Sequence, residues 1–190
     1  ALVGLFDGCG RMVKRHANAL REVSSKFSLE QINTYADAFL SLSDTTDRNM
    51  EWVTTYEKFE AAYKKLNSCA YLPIFRCVAA WKALGSDHVD LCKKLATQSR
   101  LALDETQENF IKSDLLRLEG VLALKEGSAI TAEDRFTQAI DVAQNQGAKA
   151  WELRASIDLV RLLQAQSRIK EAVTVLVPIH EAIAKGDCLE

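Results

Sequence analysis

The chain is poor in the residues that make turns. Its 190 residues hold 8 glycines and 2 prolines, too few for the many reversals of a β-sandwich or barrel. It lacks an excess of either charge. Its 24 Lys and Arg against 26 Asp and Glu leave a net charge of −2, so nothing draws the whole chain to nucleic acid or to an acidic membrane surface. No apolar run approaches the ~18–20 residues of a membrane span, and no signal peptide is visible. Its 5 cysteines are odd in number and scattered, which suits reduced thiols in a cytoplasmic setting rather than a disulfide framework.

Motifs of chemistry are lacking too. The glycines of the opening segment ALVGLFDGCG are not followed by the Gly-Lys-Ser/Thr of a phosphate loop. Cys69, Cys77, His88 and Cys92 are zinc-type ligands, but no short Cys-x2-Cys pair is among them, and cysteine is a good small core residue. His16 and His180 have no nucleophile or carboxylate at motif spacing, and Asp104, Glu105 and Glu108 read as a solvated link between helices. No catalytic set, cofactor or metal is therefore expected.

What the chain has is helix. It is 48% hydrophobic, and Leu, Ala, Glu, Lys, Arg and Gln dominate, all good helix formers. Apolar residues recur by threes and fours in segments near 12–23, 28–42, 48–66, 70–84, 87–103, 113–126, 131–146, 148–166 and 168–184, with Gly127-Ser128-Ala129 as a turn. Ser28 with Gln31 and Thr131 with Asp134 are spaced as capping boxes, Ser86 is placed to cap the helix after it, and Gly85 to stop the one before. Trp52, Tyr56, Phe59 and Tyr63 form an aromatic stripe that reads as core. Pro73 is tolerated in a first turn, whereas Pro178 should kink or end the final helix.

The best-defined stretch is 113–147. Leu115, Leu116, Leu118, Val121, Leu122 and Leu124 line a first helix with Gly120 at its middle, and Ala132, Phe136, Ala139, Ile140 and Ala143 line a second. Gly120 should let two backbones approach at the level of Ala132, with Phe136 as the plug. Counting Ser113 as position 1 puts Leu116 at 4, Gly120 at 8, Ala132 at 20, Phe136 at 24 and Ala139 at 27. That resembles a tetratricopeptide repeat, a unit of about 34 residues. The small-large pair recurs as Ala172 with Leu176 and as Leu91 with Leu95, at spacings near 40, so the helices should be longer or the turns looser than in the standard repeat. The expected fold is all-α, a tetratricopeptide-like right-handed stack of eight or nine helices in antiparallel hairpins. It forms one domain over 1–190, with its clearest repeats at 113–146 and 147–184.

The segment from AEDRFTQAIDVAQNQGAKAWELRASIDLVRLLQAQSRIKEAVTVL carries a narrower resemblance. It is similar to the C-terminal repeat region of bacterial proteins that join a class III adenylate or guanylate cyclase to a predicted ATPase. The residues concerned are Glu133, Phe136, Ala139, Gln146-Gly147-Ala148, Trp151 through Ala155, Leu159, Arg161-Leu162, Glu171-Ala172 and Leu176. They cover about residues 110–182. Ser167 stands where that family has Gly, and Ser128 to Thr131 look inserted. The resemblance implies a module at the end of a signalling cyclase or ATPase, with the catalytic chemistry elsewhere in the polypeptide. In keeping with it, the chain starts on Ala1 and stops at Glu190 as though cut from a longer protein.

Two functional readings follow. In the first, the chain is a non-catalytic scaffold that binds a protein or peptide in the groove that stacked repeats leave. In the second, it is a helical small-ligand-sensing domain of a transcription regulator. For the first, the groove wall is expected at repeat positions 2, 5 and 9, which selects Arg117, Arg154 and Arg161, and Arg76 when Leu91 is set at position 20. Arginine suits carboxylates because its planar fork can bond both oxygens, so an acidic segment of the same protein or a partner is the expected occupant. The same arginines could instead pair with Asp114, Glu119 and Asp158. Val121 stands where the two-carboxylate clamp of that repeat family needs Asn, so that clamp is not expected. Oligomeric state is not legible.

Overall fold

A computed structural model describes residues 9–43, 51–66 and 71–184. Among them are nine α-helices and no strand: α1 (Gly10–Lys26), α2 (Glu30–Leu42), α3 (Glu51–Lys65), α4 (Leu72–Gly85), α5 (Val89–Thr106), α6 (Lys112–Lys125), α7 (Ala129–Asn145), α8 (Lys149–Ala165) and α9 (Ile169–Ala184). A 3-10 turn, Asn109–Ile111, precedes α6. Helices adjacent in sequence pack as pairs, the tetratricopeptide-like arrangement expected. The chain divides into two compact units, residues 1–106 and 107–190.

The turns set the architecture. Ser28, Asp87, Gly127, Gly147 and Ser167 have φ of 53°, 64°, 80°, 65° and 61°. After each, the next amide reaches back five residues: Leu29 N to Ser24 O (2.9 Å), His88 N to Ala83 O (2.9 Å), Ser128 N to Ala123 O (2.9 Å), Ala148 N to Ala143 O (2.8 Å) and Arg168 N to Leu163 O (2.9 Å). This is the Schellman ending, which satisfies carbonyls the helix leaves open. The carbonyl of that same residue then accepts the first bond of the next helix, as Ser128 O does from Ala132 N at 3.0 Å. Asp87, Gln107, Gly127, Gly147 and Ser167 are each twenty residues apart and all left-handed. The repeat is therefore forty residues, made by longer helices and, after Gln107, by a longer link that holds the 3-10 turn.

This geometry overturns three expected caps. Ser28 and Asp87 are the left-handed residues of their turns, so helices α2 and α5 begin later, at Glu30 and Val89. Ser86 closes α4 instead of opening α5. α7 begins at Ala129, and Ser128 is its N-cap without a side-chain bond to the backbone. The Ser128 and Thr131 hydroxyls bond each other at 2.7 Å, while Asp134 Oδ2 accepts from Gln138 Nε2. Ser128 to Thr131 are thus cap and first turn. Pro178 does not end α9, which runs on to Ala184.

In the first unit the aromatic stripe of α3 is core, as expected. Trp52, Tyr56, Phe59 and Tyr63 are all buried. Phe75 of α4 has Phe59, Phe39 and Tyr35 around it at centroid distances of 5.1, 5.2 and 6.0 Å. Residues 1–8, with most of the glycine-rich opening, and the break at 45–47 lie outside the described residues.

In the second unit α6 packs on α7, α7 on α8 and α8 on α9, and α6 also meets α8. The first helices of successive hairpins thus lie side by side. Phe136 is fully buried, with Ala123, Ala132, Leu159, Val160 and Leu163 in the same core. The forty-residue register is visible in a pair of bonds. Ser99 Oγ donates to Pro73 O at 2.7 Å and Ser113 Oγ to Ala139 O at 2.8 Å. Adding forty to 73 and 99 gives 113 and 139, so one helix crossing is tied at the same level in both hairpins, with donor and acceptor exchanged.

That register corrects two of the expected small-large pairs. The residue forty before Ala132 is Cys92, fully buried, not Leu91. In the last hairpin Ala172 is buried but Leu176 is 38% exposed. Val160 stands in place of Gly120 and brings its own side chain to the crossing, so no ring is needed there.

Candidate partner-binding wall

The wall is built from α6 and α8. Asp114 and Arg117 are three apart on α6, and Arg154, Asp158 and Arg161 are at i, i+4 and i+7 on α8, so each set shares a helix face. Asp158 joins the two helices. Its Oδ2 accepts from Arg117 Nε at 2.7 Å and its Oδ1 from Arg161 Nη1 at 3.4 Å. Arg117 Nη1 also donates to Asp114 Oδ1 at 3.3 Å. Asp114 is buried, which its place in the first turn of α6 favours, since the helix dipole is positive there.

Arg117 and Arg161 are therefore already paired with aspartates. Arg117 is mostly covered, at 22% side-chain exposure, whereas Arg161 is 74% exposed. Arg154 is partly buried on the same face of α8. Glu119, the third expected partner, goes to Arg135 of α7 at 3.5 Å instead. The wall is alternating in charge, with three arginines and two aspartates.

Arg76 belongs to the first unit. It is buried, with Nε on Glu60 Oε1 and Nη1 on Gln98 O, both at 3.0 Å. In the forty-residue register it corresponds to Leu116, a core position, and not to Arg117. Beside it, burial and then the Glu60 carboxylate push the Tyr56 phenol well above its ordinary range. Cys77 and Cys92 are buried in α4 and α5, His88 sits at the turn between them, and Cys69 lies outside the described residues. Among the described residues no three His, Cys, Asp or Glu side chains are grouped to hold a metal ion. His16 and His180 are exposed.

The opposite side of α8 carries a second feature, which sequence reasoning did not place. A groove of about 430 Å³ runs between α7 and α9 over α8. At its edge Arg168 holds two carboxylates at once. Its Nη1 and Nη2 donate to Glu133 at 2.6 and 2.9 Å, and its Nε and Nη2 to Glu171 at 2.8 and 2.7 Å. Hydrogen bonds to Glu171 and Glu133 raise the guanidinium above its ordinary range, and Arg168 holds Glu171 below the usual carboxylate value. The i, i+3 spacing of Arg168 and Glu171 was the available signal; Glu133, thirty-five residues earlier, gave none. Buried Glu152 accepts from Gln144 at 2.9 Å and from Lys149 at 3.0 Å.

No family model matches the chain, and no curated protein or solved structure matches it. Among the described residues no helix is long and apolar enough to cross a membrane.

Proposed function

We propose that the chain is a non-catalytic, tetratricopeptide-like interaction module of a cytoplasmic bacterial signalling protein of the cyclase or ATPase type. Its partner is an acidic segment of the same polypeptide or of another protein. One observation carries the reading: exposed Arg161 stands beside Arg117 on paired first helices, both hydrogen-bonded to Asp158. A carboxylate from a partner can replace Asp158 at Arg161 without exposing the buried Asp114–Arg117 pair. The resemblance of residues 110–182 to the C-terminal repeats of cyclase–ATPase fusions supports the signalling context.

Fluorescence anisotropy with a labelled Glu-rich peptide tests this. Binding is expected, weakening as salt rises and lost in Arg161→Glu, whose helix content and melting temperature stay as in the parent. Peptide binding unchanged by Arg161→Glu would contradict it. The groove between α7 and α9 favours one second reading, the small-ligand sensor. A thermal-shift screen separates the two, because a small molecule bound to the native state raises apparent stability with no peptide present.

A further inference from the structure

The outer side of α9 is apolar and uncovered. Ile169, Val173, Leu176 and Val177 are 54%, 54%, 38% and 45% exposed. At i, i+4, i+7 and i+8 they make one strip, and exposed His180 and Ala184 continue it. The stack itself shows what such a strip takes. One repeat earlier Phe136, in register with Leu176, is fully buried in a core that includes Leu159, Val160 and Leu163 of α8, a helix that packs along α7. No further helix follows α9 among the described residues. A pair of charges rims the strip. Lys170 and Glu181, both exposed, are eleven residues apart, three helical turns, so they flank the same edge, one near each end.

We propose that this strip binds the same strip of a second copy of the chain, α9 against α9, antiparallel, about a two-fold axis between Val175 and Leu176. Helix on helix in opposite directions is how α8 already packs on α7, so the contact continues the stack. The sequence register selects a second copy. An antiparallel copy sets Lys170 level with the partner's Glu181, and the two-fold axis makes that pair twice. In the same register Val173 falls between the levels of the partner's Val177 and the partner's His180. Ile169 falls between the levels of the partner's His180 and the partner's Ala184, so the apolar side chains interleave. A parallel pair would set Lys170 against Lys170 and Glu181 against Glu181, so the charges also fix the direction. The strip falls short of the roughly 20–30 residues a side of a standard interface, so the dimer is reversible. The contact is on α9 and does not depend on the arginines of α6 and α8.

The test is sedimentation equilibrium of the whole chain at low salt, from low micromolar to millimolar concentration. A reversible equilibrium between one copy and two is expected. Val173→Lys should abolish it, with helix content and the melting temperature of dilute samples unchanged, because that side chain is exposed in the single copy. Lys170→Glu and Glu181→Lys should each weaken self-association about tenfold or more, since each sets like charges level at both symmetric pairs. The double variant should regain the parent affinity. An equimolar mixture of the two single variants should dimerise more tightly than either alone, because every level pair in the mixed dimer is opposite in charge. A chain that stays monomeric throughout overturns the proposal, as does association that grows past two copies. Self-association unaltered in Val173→Lys places the contact elsewhere and overturns it too. A mixture no tighter than its components overturns the antiparallel pairing and the proposal with it. If Val173→Lys unfolds, the two charge variants on the exposed rim and their mixture supply the reading.

Discussion

Gly120 and Phe136 share one space at the crossing of α6 and α7. A Cβ on Gly120 would lie 2.6 Å from Cδ1 and 3.0 Å from Cζ of the Phe136 ring, closer than carbon atoms pack. The ring is fully buried and sits where any other residue at 120 would put its side chain. Gly120→Ala should therefore destabilise by about 1–3 kcal/mol through overpacking, despite the ~1 kcal/mol that alanine gains over glycine in a helix. Phe136→Ala should cost about 3–5 kcal/mol. In a Phe136→Leu background Gly120→Ala should become neutral or stabilising. Urea unfolding of the four chains checks this, and additive effects would contradict the shared space.

The left-handed turn residues give a second set of expectations. Ser167 and Asp87 hold φ of 61° and 64°, which costs a non-glycine residue roughly 1 kcal/mol. Ser167→Gly should raise stability by up to about 1 kcal/mol, and Gly147→Ala should lower it by a similar amount. Thermal melts of both variants decide the matter; a Ser167→Gly chain less stable than its parent would count against the turn.

The Arg168 clamp is pH-dependent with a definite sign. Glu171 has a folded value below its ordinary one because Arg168 binds its charged form. Its contribution is present above the ordinary carboxylate value of about 4.5 and is lost as pH falls through the lower folded value. Arg168→Gln should lower the melting temperature at neutral pH, and the gap from the parent should close on acidification. A gap that persists well below that value would show that the clamp acts through packing alone.

Arg117 and Arg161 should respond differently to the same change. Arg117→Glu would face Asp114 and Asp158, whose side chains are 3% and 13% exposed, and should cost about 3 kcal/mol or more by leaving buried charge unpaired. Arg161→Glu, on a side chain that is mostly exposed, should cost within about 0.5 kcal/mol. Equal losses in urea unfolding would place the two arginines in similar environments, contrary to the geometry.

The hairpin of α6 and α7 was legible because its complement is local: a glycine, a phenylalanine and small residues at helical spacing describe one crossing. The aromatic core of α3 was legible for the same reason. The capping boxes were not. A Schellman turn fixes the first residue of the next helix through backbone bonds, and leucine, histidine, serine, alanine and arginine all stand at that place. Side-chain chemistry therefore says little about where these helices begin. The upstream register slipped by one because Cys92 is the small residue and Leu91 its conspicuous neighbour, and that slip carried Arg76 to a wall position when it belongs with Leu116 in the core. The pairing of Arg117 with Asp158 spans forty-one residues. Asp158 was legible as a possible partner of these arginines, and the repeat length explains why it meets Arg117.

Binding by the wall of α6 and α8 is tested most directly by mapping amide chemical shifts while a Glu-rich peptide is added to the ¹⁵N-labelled chain. The account predicts saturable shifts on the faces of α6 and α8 around Arg117, Arg154, Asp158 and Arg161, abolished in Arg161→Glu. Shifts confined to the groove between α7 and α9, or none at all, would contradict it.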